Sequence, residues 1–280
     1  MATKKNNGLG TVVFIMFILI LFFSQVNKCS SGNKKNTSAY SKAKKAQNEL
    51  QFSDDFNISI ANQDDLGLSL VLAVDCSGSM DDYPTEGGKS KKFEAASESI
   101  KEILVFIKDF YKENLEKDSI ILKLSIVTFS DVVNIVYPLT EIDENTINAM
   151  IEFASQPSNF DPDGQTAIGD TIAKGAEILA QSGTIFKSLI IISDGENTAG
   201  TDPGLVLDSL VNNRNNKSTK DFPVLTNNIL VSFVGFDIDT GKFTALEQGG
   251  AKLTQADNKE QLNETLKNLF LSDISKLEAE

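Results

Sequence analysis

A short stretch near the first third of the chain constrains its fold more than any other. Residues 70–74 are apolar without interruption, and Asp75, Ser77 and Ser79 follow directly. A strand that is apolar on both faces is typical of a parallel sheet covered by helices, and such folds bind ligands at the carboxyl ends of their strands. Oxygen ligands suit a hard cation such as Mg²⁺. A polar turn that caps the next helix would have the same sequence, so this stretch alone leaves both interpretations open.

The rest of the chain alternates between strand and helix patterns. A second apolar strand, residues 188–194, also ends in a carboxylate, Asp194. Helices between strands at this spacing require crossover connections and therefore a mostly parallel sheet. We predict an α/β fold with a doubly wound central sheet, one antiparallel edge strand and helices on both faces. The predicted strands are 68–75, 120–129, 132–137, 188–194, 229–236 and 251–255, and the predicted helices are 93–111, 144–154, 167–180, 206–211, 243–248 and 262–277.

Composition excludes several classes of function. The chain has no histidine, which rules out a Ser-His-Asp triad and histidine metal ligands. Residues 1–53 carry a net charge of +7 and the remainder carries −20. Because binding to nucleic acid depends on neutralising phosphates, we expect no nucleic-acid partner for so acidic a domain. The two cysteines, Cys29 and Cys76, lie in different contexts, so we infer no disulfide framework.

The amino-terminal segment predicts an association with a membrane. Residues 9–26 are apolar except at four positions and would span roughly 27 Å as a helix. They are interpreted as an uncleaved signal-anchor helix, a cleaved signal peptide or a lipoprotein signal ending at Cys29, although Lys28 departs from the lipidation pattern. We divide the chain into this segment (1–28), a polar flexible stalk (29–53) and a folded domain (54–280). Each interpretation places the domain outside the cytoplasm, in the periplasm or at the cell surface.

A third loop completes a candidate metal site. Thr166 follows a loop rich in Pro, Asp and Gly and begins a predicted helix, at the same sheet edge as the other two loops. Here the chain resembles the von Willebrand factor A (VWA) domain family over about residues 65–271. The metal-ion-dependent adhesion site of that family matches Asp75-Cys-Ser77-Gly-Ser79, Gly164-Gln-Thr166 and Ser193-Asp194-Gly195. The resemblance implies a Rossmann-like fold and a Mg²⁺ site, with Mn²⁺ or Ca²⁺ as alternatives. It also implies that Ser77, Ser79 and Thr166 offer hydroxyl oxygens, while Asp75 and Asp194 hold the ion directly or through water.

Two other motifs are rejected. Residues 88–90 read Gly-Lys-Ser, but Tyr83 stands where a phosphate-binding loop requires its first glycine. Residues 237–241 resemble the start of a calcium loop, but Gln248 occupies the position of its final glutamate. Neither motif therefore supports a second ligand site.

These observations favour a binding function. We expect a membrane-tethered module whose metal coordinates an Asp or Glu of a partner protein, in adhesion or in assembly of an envelope complex. The alternative is a cytoplasmic subunit that works with a MoxR-type or chelatase-type ATPase, as other VWA domains do. The sequence offers no nucleophile–base pair, so we expect no enzyme activity, no catalytic residues and no small-molecule substrate.

Overall fold

The computed structural model describes residues 65–85, 88–115, 120–213 and 229–277. The chain divides between residues 57 and 58, and all the described residues belong to the unit Ile58–Glu280. The predicted membrane segment and stalk lie outside these ranges, so the proposed domain bounds stay predictions. Within the described ranges, none of the helices combines the length and the hydrophobicity that crossing a membrane requires.

Six strands form one mixed sheet in the order β3-β2-β1-β4-β5-β6. Strand β3 pairs antiparallel with β2, and every other neighbouring pair is parallel. The structure thus confirms the predicted mostly parallel sheet with an antiparallel edge strand. The strands are β1 (Asp65–Asp75), β2 (Ile121–Phe129), β3 (Val133–Glu141), β4 (Thr184–Ser193), β5 (Ile229–Phe236) and β6 (Lys252–Ala256).

Helices cover both faces of the sheet because the central strands are apolar on both sides. On β1, Leu70 and Leu72 face one core and Val71 and Ala73 face the other. Helices α1, α2 and α6 pack on the first face, and α3, α4 and α5 pack on the second. The helices are α1 (Lys92–Phe110), α2 (Glu144–Ala154), α3 (Ile168–Ala180), α4 (Pro203–Asn213), α5 (Thr244–Gln248) and α6 (Lys259–Leu277).

Three element bounds differ from the predictions for identifiable reasons. Strand β3 continues through Pro138 to Glu141, because the outer side of an edge strand tolerates a residue that lacks an N–H. Strand β4 begins four residues early, at Thr184, whose hydroxyl lies 2.7 Å from that of Ser69 on β1. Helix α6 begins at Lys259 because the side chain of Asn258 accepts a hydrogen bond from the Gln261 amide and caps the helix.

Two of the four leucines of β1, Leu66 and Leu72, provide a test of where the core lies. Leu72 is fully buried, whereas Leu66 on the same strand is 48% exposed. Leu72→Ala should lower the free energy of unfolding by about 3 kcal/mol through lost burial and a residual cavity. Leu66→Ala, the matched control, should lower it by less than about 1 kcal/mol. Urea denaturation of the full chain in detergent, followed by circular dichroism, measures both values. Equal losses of unfolding free energy in the two variants would contradict the placement of Leu72 in the core and Leu66 at the surface.

Candidate metal centre

The first carboxylate of the site lies at the end of β1, beside the end of β4. Val74 pairs with Ile192, so Asp75 and Ser193 leave the sheet at the same edge. The Ser193 hydroxyl donates a hydrogen bond to Asp75 Oδ2 over 2.5 Å. The Ser77 amide donates to Asp75 Oδ1 over 2.7 Å. Neutral donors therefore hold both oxygens of this fully buried carboxylate.

The loop after β1 connects directly to the loop after β4. It forms a single 3₁₀ turn, Gly78–Asp81, which is anchored in the core by the buried side chain of Met80. The hydroxyl oxygens of Ser77 and Ser79 lie 3.2 Å apart. Ser79 also donates a hydrogen bond to Asp194 Oδ1 over 2.7 Å. Four of the five predicted ligands thus form a continuous chain of contacts.

Thr166 brings the third loop to the same place. Its carbonyl accepts a hydrogen bond from the Thr198 amide, and its own amide donates to the Thr198 hydroxyl, both over 2.9 Å. A Cβ added at Gly195 would lie 3.3 Å from the Thr166 hydroxyl oxygen and 3.7 Å from that of Ser79. The two hydroxyl groups therefore line one small space beside Gly195. All five predicted site residues come together.

The burial of Asp75 leaves its charge poorly compensated. Desolvation raises the pKa of Asp75 to about 6, although the hydrogen bonds from Ser193 and Ser77 act to lower it. A bound cation would favour the charged form of such a group. The donor set of two carboxylates and three hydroxyls contains only hard oxygen ligands, so it fits Mg²⁺. In the described part of the chain, histidine, cysteine and carboxylate side chains form no cluster of three that could hold a metal, so the candidate site depends on its hydroxyl groups.

Two charged residues that the sequence analysis did not assign to the site, Lys92 and Asp237, complete it. The ammonium group of Lys92 lies 2.9 Å from Asp194 Oδ2 and 3.2 Å from Asp237 Oδ2. Burial by itself would lower the pKa of Lys92, but its interactions with the two aspartates outweigh that effect and raise the pKa above its usual value. Asp237 lies far from Lys92 in the sequence, so no local spacing indicates the contact.

Asp131, in the turn between β2 and β3, supports the loop that carries Thr166. Its carboxylate accepts a hydrogen bond from the Gln165 amide over 3.2 Å. The same carboxylate lies against Gly164, whose φ of +81° favours glycine. The Gly164 carbonyl in turn accepts a hydrogen bond from the Gly78 amide over 3.0 Å. These contacts fix the loop before Thr166 against the loop after β1.

The central region of the chain is similar in sequence to a known family. Residues 70–196 match the family model described as the von Willebrand factor type A domain. The central part of the chain is therefore similar in sequence to a VWA domain. The matched residues run from Leu70, within β1, to the loop after β4, and they include all five of the predicted ligands. A comparison with curated proteins found no match.

Solved structures support the VWA fold. A von Willebrand factor type A protein from Catenulispora acidiphila is 20% identical and superposes with a TM-score of 0.52 over 74% of this chain and 42% of that one. The PilB minor pilin from Streptococcus sanguinis is 15% identical, with a TM-score of 0.53 over 74% of this chain and 61% of that one. The pilus adhesin SpaC from Lactobacillus rhamnosus GG is 16% identical, with a TM-score of 0.53 over 78% of this chain and 32% of that one. The chain therefore covers less than two thirds of each of these structures.

A pair of glycines tests the packing of the loop before Thr166. Gly164 and Gly250 both have positive φ, but only Gly164 lacks room for a Cβ, because the Asp131 carboxylate lies against it. Gly250→Ala should cost about 1 kcal/mol of unfolding free energy through backbone strain alone. Gly164→Ala should cost at least about 1 kcal/mol more, because the Asp131 contact must also break. Urea denaturation measures both, and the packing is wrong if the two variants lose the same stability.

Proposed function

We propose that this VWA domain binds a protein partner through a Mg²⁺ ion held by Asp75, Ser77, Ser79, Thr166 and Asp194. The proposal rests on one observation, the convergence of these five oxygen-bearing side chains from three loops at one edge of the sheet. When bound, the ion would supply an electrophilic centre. Three neutral hydroxyls and two carboxylates donate little charge, so the ion could accept an Asp or Glu of the partner as a further ligand.

Protein binding agrees with the family. VWA domains mediate protein interactions, and two proteins that share the fold are described as a minor pilin and a pilus adhesin. The words minor pilin and pilus adhesin describe those two proteins and not this chain. For this chain we propose a corresponding role in adhesion or in assembly of an envelope complex.

The groups around the site favour binding over catalysis. Ser193 contacts a carboxylate as a nucleophile would, but its side chain is fully buried and cannot reach a substrate. The ammonium of Lys92 is bound by two carboxylates, so it is not a free base. A two-metal hydrolytic site needs a second cluster of ligands, and no three His, Cys, Asp or Glu side chains form one among the described residues.

Metal removal tests the proposed function. Full-length protein in detergent should bind Mg²⁺ in calorimetry and should capture its partner from solubilised envelopes in Mg²⁺, with release by EDTA. Asp75→Asn should reduce both Mg²⁺ binding and capture at least tenfold, because the variant loses a charged ligand. Asp109→Asn, an exposed change near the far end of α1, should leave both unchanged.

Two results would count against this function. Capture that continues unchanged in EDTA would show that the partner does not use the metal. Mg²⁺ binding by Asp75→Asn with wild-type affinity would show that the ion is held elsewhere. Circular dichroism of each variant in EDTA separates either result from loss of the fold.

We also propose that the domain lies outside the cytoplasm, tethered by the apolar residues 9–26. A tag at the carboxyl terminus should then be digested by protease added to cells whose outer envelope has been permeabilised, while a cytoplasmic marker protein stays intact. Protection of the tag until the inner membrane is lysed would favour the ATPase-coupled alternative, which requires a cytoplasmic domain.

A further inference from the structure

Lys92 occupies a bridging position between two loops of the metal centre. It is the first residue of α1, and its amide donates a hydrogen bond to the Asp82 carbonyl over 2.9 Å. Its ammonium contacts Asp194, a candidate metal ligand, and Asp237, in the loop after β5. Only 10% of the Lys92 side chain is exposed, against 0% for Asp194 and 6% for Asp237. The three charges therefore interact largely away from water.

The two oxygens of Asp194 have different partners. Oδ1 accepts a hydrogen bond from Ser79 over 2.7 Å, on the side where the five candidate ligands meet. Oδ2 lies 2.9 Å from the Lys92 ammonium. Lys92 thus fixes the rotation of the carboxylate and directs one oxygen toward the metal side. It also places a full positive charge beside a group that is to bind a cation.

Asp237 is itself held in place for this contact. Its carboxylate accepts hydrogen bonds from the amide and hydroxyl of Thr85, over 3.0 and 3.1 Å. Its backbone adopts a φ of +55°, a conformation that aspartate and asparagine adopt more readily than most residues. Asp237 therefore compensates part of the charge that Lys92 brings to the site.

We propose that Lys92 is a built-in counter-ion of the metal centre, which positions Asp194 and keeps the affinity for Mg²⁺ moderate. This inference rests on the proposed function, since it concerns the same ion. Without metal, Lys92 holds the Asp194 and Asp237 loops together. With metal, its charge repels the ion and withdraws negative charge from Asp194. The ion then keeps more of its own charge for an acidic partner.

Variants that change the charges around Asp194 test the proposal. Calorimetry of the full chain in detergent measures the Mg²⁺ affinity of each variant. Lys92→Met removes the charge and keeps the length, so the dissociation constant for Mg²⁺ should fall about tenfold. Asp237→Asn leaves Lys92 uncompensated and keeps a residue that tolerates positive φ, so Mg²⁺ should bind more weakly. Lys92→Arg keeps the charge and should stay within about threefold of the wild type.

Lys91→Met provides the matched control. Lys91 precedes Lys92 in the chain, is partly exposed and pairs with Asp81 rather than with the site, over 2.7 Å. Its loss should leave the Mg²⁺ affinity unchanged. A purely structural role for Lys92 predicts the opposite sign for Lys92→Met, because a disordered Asp194 would bind Mg²⁺ more weakly.

Unchanged or weaker Mg²⁺ binding by folded Lys92→Met would overturn the proposal. If Lys92→Met does not fold, the Asp237→Asn variant provides the test. Unchanged or tighter Mg²⁺ binding by Asp237→Asn would also overturn the proposal. Wild-type protein that binds no Mg²⁺ would instead overturn the proposed function and this inference with it. Wild-type binding with no response to these charges would overturn only the role of Lys92.

Discussion

Strands β1 and β4 run parallel and in register up to Val74 and Ile192, and the residues that follow leave the sheet together. The contacts between the loop after β1 and the loop after β4 depend on this arrangement. It places the Ser193 hydroxyl against Asp75 and brings the loop that carries Ser79 within hydrogen-bond distance of Asp194. A strand shifted by one residue would direct its side chains to the opposite face, so the apolar cores on both faces also fix the position of the site.

The two buried carboxylates of the centre are compensated in different ways. Asp75 has neutral hydrogen-bond partners, and burial raises its pKa. Asp194 contacts the ammonium of Lys92. Burying a charge without a partner is costly, so a cation bound between the two would contribute most at Asp75. Lys92 meanwhile allows the loop after β4 to keep its place when the metal is removed.

The part of the site that could be predicted from sequence is the part encoded locally. Asp75 and Asp194 each end an apolar strand, and the hydroxyls of Ser77 and Ser79 lie in the adjoining loop, so strand patterns alone place them at one edge. Thr166 required the family resemblance as well as its position before α3. The positions at the strand ends follow from periodicity, which a single sequence contains.

The contacts that could not be predicted join residues that are distant in sequence and have no periodic pattern. Lys92 stands beside Lys91, and nothing in the sequence distinguishes the buried lysine from the exposed one. Asp237 lies in the segment that was rejected as a calcium loop, and its contact with Lys92 joins the first residue of α1 to the residue directly after β5. The hydrogen bond between Asp131 and the Gln165 amide likewise depends on where the turn between β2 and β3 meets the loop before Thr166.

Charge on two length scales limits the kind of partner that the proposed centre would accept. Residues 54–280 carry a net charge of −20, so the domain as a whole repels acidic surfaces. At the centre itself, a divalent ion and Lys92 would oppose that field over a few ångströms. A partner with one protruding carboxylate on a neutral or basic surface gains the local attraction without the general repulsion. A partner with an acidic surface experiences both the local attraction and the general repulsion. The domain would therefore select against acidic partners without any specific contact beyond the metal.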